Sequence, residues 1–275
     1  MVRQSRLFLL FLCSNVILLQ AQQQERIEYS LLPSSSLMPR RTANVTEHGL
    51  SLCKMFDKDN YWAGIGNSLP LLQVNYGTLR GDISVAATVF TQLDHKPGSL
   101  RVINTDFYVD LLFAMTWNER TFIQFGPGHT SQHLNDDAFE IFGYHSSINY
   151  VRDYYQLFVL QAIDKLRGYV YAGALYHHTF KVPSDNNPHW LFEVGADVAQ
   201  TQLKSWLIGY VAFDIKLREE LRYGSTQSYQ VGVKILGESP HVIRVALTHR
   251  AGYEERGQFF DSKVQLHTLG VYFDF

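Results

Sequence analysis

The residues with the greatest capacity for chemistry lie in one stretch, Gly126-Pro127-Gly128-His129-Thr130-Ser131-Gln132-His133-Leu134-Asn135-Asp136-Asp137. His129 and Ser131 stand two residues apart. In an extended chain that spacing puts both side chains on one face, with Cα atoms about 7 Å apart. An imidazole so placed can take the proton of a hydroxyl, which then attacks an acyl carbon. A third group must orient the ring, and Glu140 and Asn149 are the candidates downstream. Metal chemistry is harder to assemble. His129 and His133 would sit about 13 Å apart along a strand, too far for one ion at bonds of about 2.0 Å. His177 and His178 point to opposite faces. Asp136-Asp137 could lend oxygen ligands to Ca²⁺, although an acidic loop pair is ordinarily just solvated. No metal set and no cofactor can be named.

The element holding these side chains reads as a β-strand. Ile123 and Phe125 share the parity of His129 and Ser131, while Gln124, Gly126, Gly128 and Thr130 take the other. The same period of two recurs along the chain. Ile83, Val85, Ala87 and Val89 oppose Asp82, Ser84 and Thr88. Phe107, Val109, Leu111 and Phe113 oppose Asp106 and Asp110. Phe192 and Val194 oppose Glu193 and Asp197. Val231 and Val233 oppose Gln230 and Lys234, and Ile243, Val245 and Leu247 oppose Arg244, Thr248 and Arg250.

Two stacked sheets would also alternate. These segments are longer than the five or six residues usual in globular sheets, and charges sit in their middles on one face. Charged residues make up only 18% and aromatics reach 14%, against about 25% charged in ordinary domains. This mixture suits an all-β transmembrane antiparallel barrel, in which each strand alternates a lipid-facing residue with a lumen-facing one. Connections alternate too: short near 77–80, 118–120, 164–166, 199–204 and 237–240, long near 94–105, 132–146, 179–188, 216–226 and 254–262. With 61–67 and 69–76 as the first two strands and 148–162 as one long strand, the count is about 12. Asp82, Asp110, Glu193, Lys234, Arg244 and Arg250 would line a narrow charged lumen, which side chains can largely fill.

The amino-terminal part reads differently. Arg3 and Arg6 precede an apolar run from Leu7 to Leu19, and Ala21 offers a small residue before Gln22, as in a cleaved secretory leader over 1–21. Residues 22–60 carry a Gln run, Ser34-Ser35-Ser36 and no alternation, and are expected to be a flexible periplasmic segment. The barrel is expected over 61–275. Cys53 would then be the one remaining thiol and lie outside the strands. A net charge of -2 argues against nucleic acid as a partner, which calls for a basic face.

Three resemblances add to this. The closing strand, with Leu269, Val271, Phe273 and terminal Phe275 on one face, resembles the carboxy-terminal signal of bacterial outer-membrane barrels. That implies the bacterial outer membrane as location, the barrel assembly machinery as a partner, and lipid and lipopolysaccharide as surroundings. His129-x-Ser131 resembles the site of outer-membrane phospholipase A and of the lipid A deacylase, which usually read His-x-Ser-Asn where this chain has Gln132. Over most of Leu79 to Phe275, the segments His129-x-Ser131-x-His133-Leu134-x-Asp136-Asp137, Tyr176-His177-His178, Gly257-Gln258-Phe259-Phe260 and Leu269-Gly270-Val271-Tyr272-Phe273 resemble the domain of unknown function 1207 family. That family implies an envelope protein and supplies no activity.

Two functions follow as expectations. One is an integral barrel of structural, binding or transport role. The other is an outer-leaflet acyl hydrolase with Ser131 as nucleophile, His129 as base and Glu140 or Asn149 orienting the ring.

Overall fold

The computed structural model describes residues 26–143, 146–181, 188–237 and 240–274. The expected leader and the terminal Phe275 lie outside these. The elements are β1 (Glu28–Leu31), β2 (Leu50–Met55), β3 (Asn60–Tyr76), β4 (Leu79–Lys96), β5 (Ser99–Thr116), β6 (Thr121–Leu134), the helix α1 (Asp136–Phe142), β7 (Tyr150–Ile163), β8 (Gly168–Lys181), β9 (Trp190–Lys204), β10 (Leu207–Arg218), β11 (Gly224–Leu236), β12 (Val242–Tyr253) and β13 (Lys263–Asp274). Each strand from β3 to β13 pairs antiparallel with the next, and β2 pairs with both β13 and β3, so β2 to β13 form a closed ring of twelve. No helix among the described residues is long and apolar enough to cross a membrane.

The pleat sorts the side chains as the alternation requires. Val85, Phe107, Val109, Phe125, Leu157, Val194, Val231 and Leu247 are exposed on the outer wall, whereas Asp82, Asp110, Glu193, Asp197, Arg244 and Arg250 are buried within the ring. An outer wall of exposed aliphatic and aromatic side chains around a buried polar interior inverts the water-soluble arrangement. It suits a hydrocarbon surrounding. Closure gives every strand of the ring a partner on each side, as lipid favours, while β1 is added to β3 outside the ring and pairs on one side alone among the described strands.

The strand total agrees with expectation, but its members differ. Residues 60–76 form the single strand β3, with a register shift between Pro70 and Leu72, rather than a pair. The twelfth strand is β2, in the stretch expected to be flexible and periplasmic, so the barrel begins at Leu50 and Cys53 lies in its wall, buried beside the Tyr272 hydroxyl at 3.3 Å. The loop expected over 94–105 is a two-residue turn. Lys96 pairs with Ser99 across Pro97-Gly98, Gly98 having φ 86°, as a turn with proline first and glycine second favours. The ends of β6, β8, β10 and β12, which the other long connections follow, lie at one end of the ring, the loop end.

Residues 32–49 explain why β1 and β2 are separate. β1 pairs with β3 over Leu72 to Asn75, and β2 pairs with it over Tyr61 to Gly64. Between them the chain leaves the wall and fills the lumen. Leu37 and Met38 pack on Phe122, Phe158, Leu160 and Tyr171. Thr42 donates to Asp197 at 2.5 Å, Asn44 to Glu193 at 3.1 Å, and Arg41 bridges Glu193 and Glu47. His48 meets Thr88 at 3.0 Å and Asp110 at 2.9 Å. Inward charges that would otherwise face each other across a void are thus matched by this inner segment. At the loop end, 254–262 folds into the mouth: Glu255 pairs with Lys216 at 2.9 Å, and Phe260 packs on Tyr150.

Candidate functional site on the outer wall

β6 carries His129, Ser131 and His133 outward with Phe125, and turns Gln124, Thr130 and Gln132 into the lumen. β7 runs beside it with Asp153 directly opposite His129 and Val151 opposite Ser131. Asp153 shares the outward parity of Tyr155 and Leu157. Its carboxylate oxygen lies 2.6 Å from His129 Nδ1. A carboxylate only accepts, so Nδ1 carries the proton and Nε2 is left as the acceptor. The group that orients His129 is therefore Asp153. Glu140 sits on the exposed face of α1 and Asn149 is exposed just before β7, and neither bonds the ring.

The Ser131 hydroxyl lies 3.1 Å from Nε2 of His133, not of His129. His133 in turn packs edge-on against Phe107, 5.9 Å between centroids. The outward patch thus holds a carboxylate, two imidazoles and a hydroxyl in one row across β6 and β7. Around it lie aromatic rings: Tyr155 against His178 at 5.1 Å, Tyr176 against Trp190 at 5.0 Å, and Trp190 stacked on Phe192 at 5.8 Å. Such rings form the girdle of a membrane barrel.

The patch is braced from the lumen. Tyr154, next to Asp153 in β7, donates to Asp110 of β5 at 2.8 Å, reaching over the intervening β6. It passes at Gly128, where any Cβ would collide with the Asp110 carboxylate and the Tyr154 ring. His48 of the inner segment closes the chain on Asp110. Gln132 turns its side chain to this inner side, where its amide donates to the Tyr108 hydroxyl at 2.7 Å and leaves room only for a glycine at 257.

The remaining sequence candidates are structural. His177 is buried in the lumen edge-on to Tyr154, and His178 is outward, so the two do face apart. Asp137 accepts from the Val102 backbone at 2.8 Å, tying α1 to β5. Among the described residues no group of three or more His, Cys, Asp or Glu could hold a metal ion.

Residues 39–275 match the family described as "Protein of unknown function (DUF1207)". No curated protein matches the chain in sequence. Among solved structures, outer membrane phospholipase A from Escherichia coli is similar with a TM-score of 0.51 at 12% identity, over 82% of this chain and 88% of that one. The Salmonella typhi outer membrane phospholipase, a dimer with bound calcium, gives a TM-score of 0.50 at 14% identity, over 82% and 89%. At these identities the likeness is one of fold.

Proposed function

The chain belongs to the DUF1207 family, and on that premise we propose that it is a bacterial outer-membrane barrel that hydrolyses acyl esters of outer-leaflet lipids on its own lipid-facing wall. The observation carrying the reading is the outward Asp153–His129 hydrogen bond with Ser131 two residues along the same face. Polar groups cost free energy against hydrocarbon. Four of them gathered at one place, in the order that acyl transfer uses, have a chemical explanation.

Asp153 holds His129 with Nε2 free to accept. Rotation about the Ser131 Cα–Cβ bond carries the hydroxyl from His133 toward that nitrogen. Oγ then bonds to the ester carbon as its proton passes to Nε2, and His129 returns that proton to the departing alcohol oxygen. Water repeats the sequence to free the fatty acid and regenerate Ser131. Lipid is the favoured substrate because the site opens onto the apolar wall, and the similar solved structures are those of phospholipases. A transport role is disfavoured by the inner segment and loop 254–262, which occupy the lumen and its mouth. The partners of this reading are outer-leaflet lipid or lipopolysaccharide, and the barrel assembly machinery acting on the last strand.

The test compares envelope lipids by mass spectrometry from cells making equal amounts of the wild-type barrel and of Ser131→Ala. Deacylated lipid and free fatty acid should accumulate with the wild type alone. Identical profiles would overturn the reading.

A further inference from the structure

We infer that His133 is a catalytic residue that donates its Nε2–H to the oxyanion formed when Ser131 attacks. The inference rests on the hydrolase reading above. Acyl transfer needs donors about 2.7–3.1 Å from the developing oxyanion, and backbone N–H groups commonly supply them. Here they are committed elsewhere. Ser131 sits within a strand paired on both sides, opposite Phe107 of β5 and Val151 of β7, and its neighbours Thr130 and Gln132 are likewise paired on both sides. Their N–H groups lie in the plane of the wall, in the ladders that lipid makes obligatory, and do not project toward a substrate. The donor must then be a side chain.

Of the outward polar groups, a carboxylate cannot donate, and the protonated nitrogen of His129 is committed to Asp153. His133 is the side chain already touching the nucleophile, Nε2 to Oγ at 3.1 Å, with its ring steadied against Phe107. With the proton on Nε2, it donates to the resting hydroxyl. Once Oγ has bonded to the acyl carbon, the former carbonyl oxygen on that same carbon takes over the N–H. His133 keeps its proton throughout. The proton that moves goes from Ser131 to His129 and on to the leaving alcohol.

The full-length barrel folded in detergent micelles, assayed with p-nitrophenyl dodecanoate, tests this. His133→Ala should lower kcat by about 10²–10³-fold, the loss typical of one oxyanion donor, with KM little changed. His133→Gln, which keeps an N–H at similar reach but cannot carry a proton, should recover at least about tenfold of that loss and leave the pH profile of kcat/KM unmoved. Wild-type rates in His133→Ala, with Ser131→Ala inactive, would overturn the donor role and leave the serine reading intact. A His133→Gln variant as inactive as His133→Ala would also overturn it, marking His133 as a proton carrier. A wild type without activity, or Ser131→Ala as active as wild type, would bring down the parent reading and this inference together.

Discussion

Asp153 and His129 are 24 positions apart in sequence and hydrogen-bonded across neighbouring strands. Both side chains are substantially open to the surroundings, 46% for His129 and 37% for Asp153. Asparagine at 153 keeps an oxygen that can accept from Nδ1 and takes a charge out of apolar surroundings, where charge is costly. Asp153→Asn should therefore leave the unfolding free energy within about 0.5 kcal/mol of wild type, while ester hydrolysis falls by about 10²-fold or more, as loss of a correctly oriented base does. Denaturant titration and initial rates on one preparation would check both halves, and a matched loss in stability would point to a purely structural pair. The outward placement of His129 and Ser131 was legible from parity with Ile123 and Phe125 alone. Asp153 was not, because facing residues are set by the register of β6 on β7, which no local pattern encodes. A signal did exist: Val151, Asp153, Tyr155 and Leu157 share one parity, and a carboxylate on an otherwise apolar face stands out. The contact of His133 with Ser131 is not legible in the sequence, since it depends on a rotamer.

At the scale of elements, β6 holds the patch because it is clamped between β5 and β7 from inside. The Tyr154–Asp110 bond passes over Gly128, so a branched side chain there must displace one partner or both. Gly128→Val should lower stability by about 1–3 kcal/mol, the usual cost of forced overpacking, and reduce hydrolysis further than Tyr154→Phe, which removes the bond but not the space. Thermal unfolding followed by the heat-modifiable shift on gels would rank the variants, and a Gly128→Val protein as stable as wild type would show the bridge to be dispensable. Long strands such as β4 and β12 were legible because their alternation runs uninterrupted, whereas β7 follows only from the rhythm of short and long connections. β2 was not, since six residues, LSLCKM, offer too few alternations to separate from irregular chain. The rhythm of connections asks for two strands, 61–67 and 69–76, where the structure has the one strand β3 with a register shift between Pro70 and Leu72. The two departures offset each other in the count.

For the whole molecule, the inverted wall was readable from composition and parity, but the filled lumen was not. The residues of the inner segment find partners far away in sequence, Thr42 with Asp197 and Asn44 with Glu193, and only the closed ring brings them together. Filled in this way, the barrel should show no conductance steps in planar bilayers, whereas replacing 33–49 by a Gly-Ser linker should open a channel; steady conductance by the wild type would refute the closed lumen. On the proposed function, a lipid-facing serine is activated on the outer wall. A long-chain alkyl fluorophosphonate added to the folded barrel, followed by peptide mass spectrometry, probes it most directly. One covalent adduct is expected, on Ser131, lost in His129→Ala. No adduct there, or equal labelling in both proteins, would contradict it.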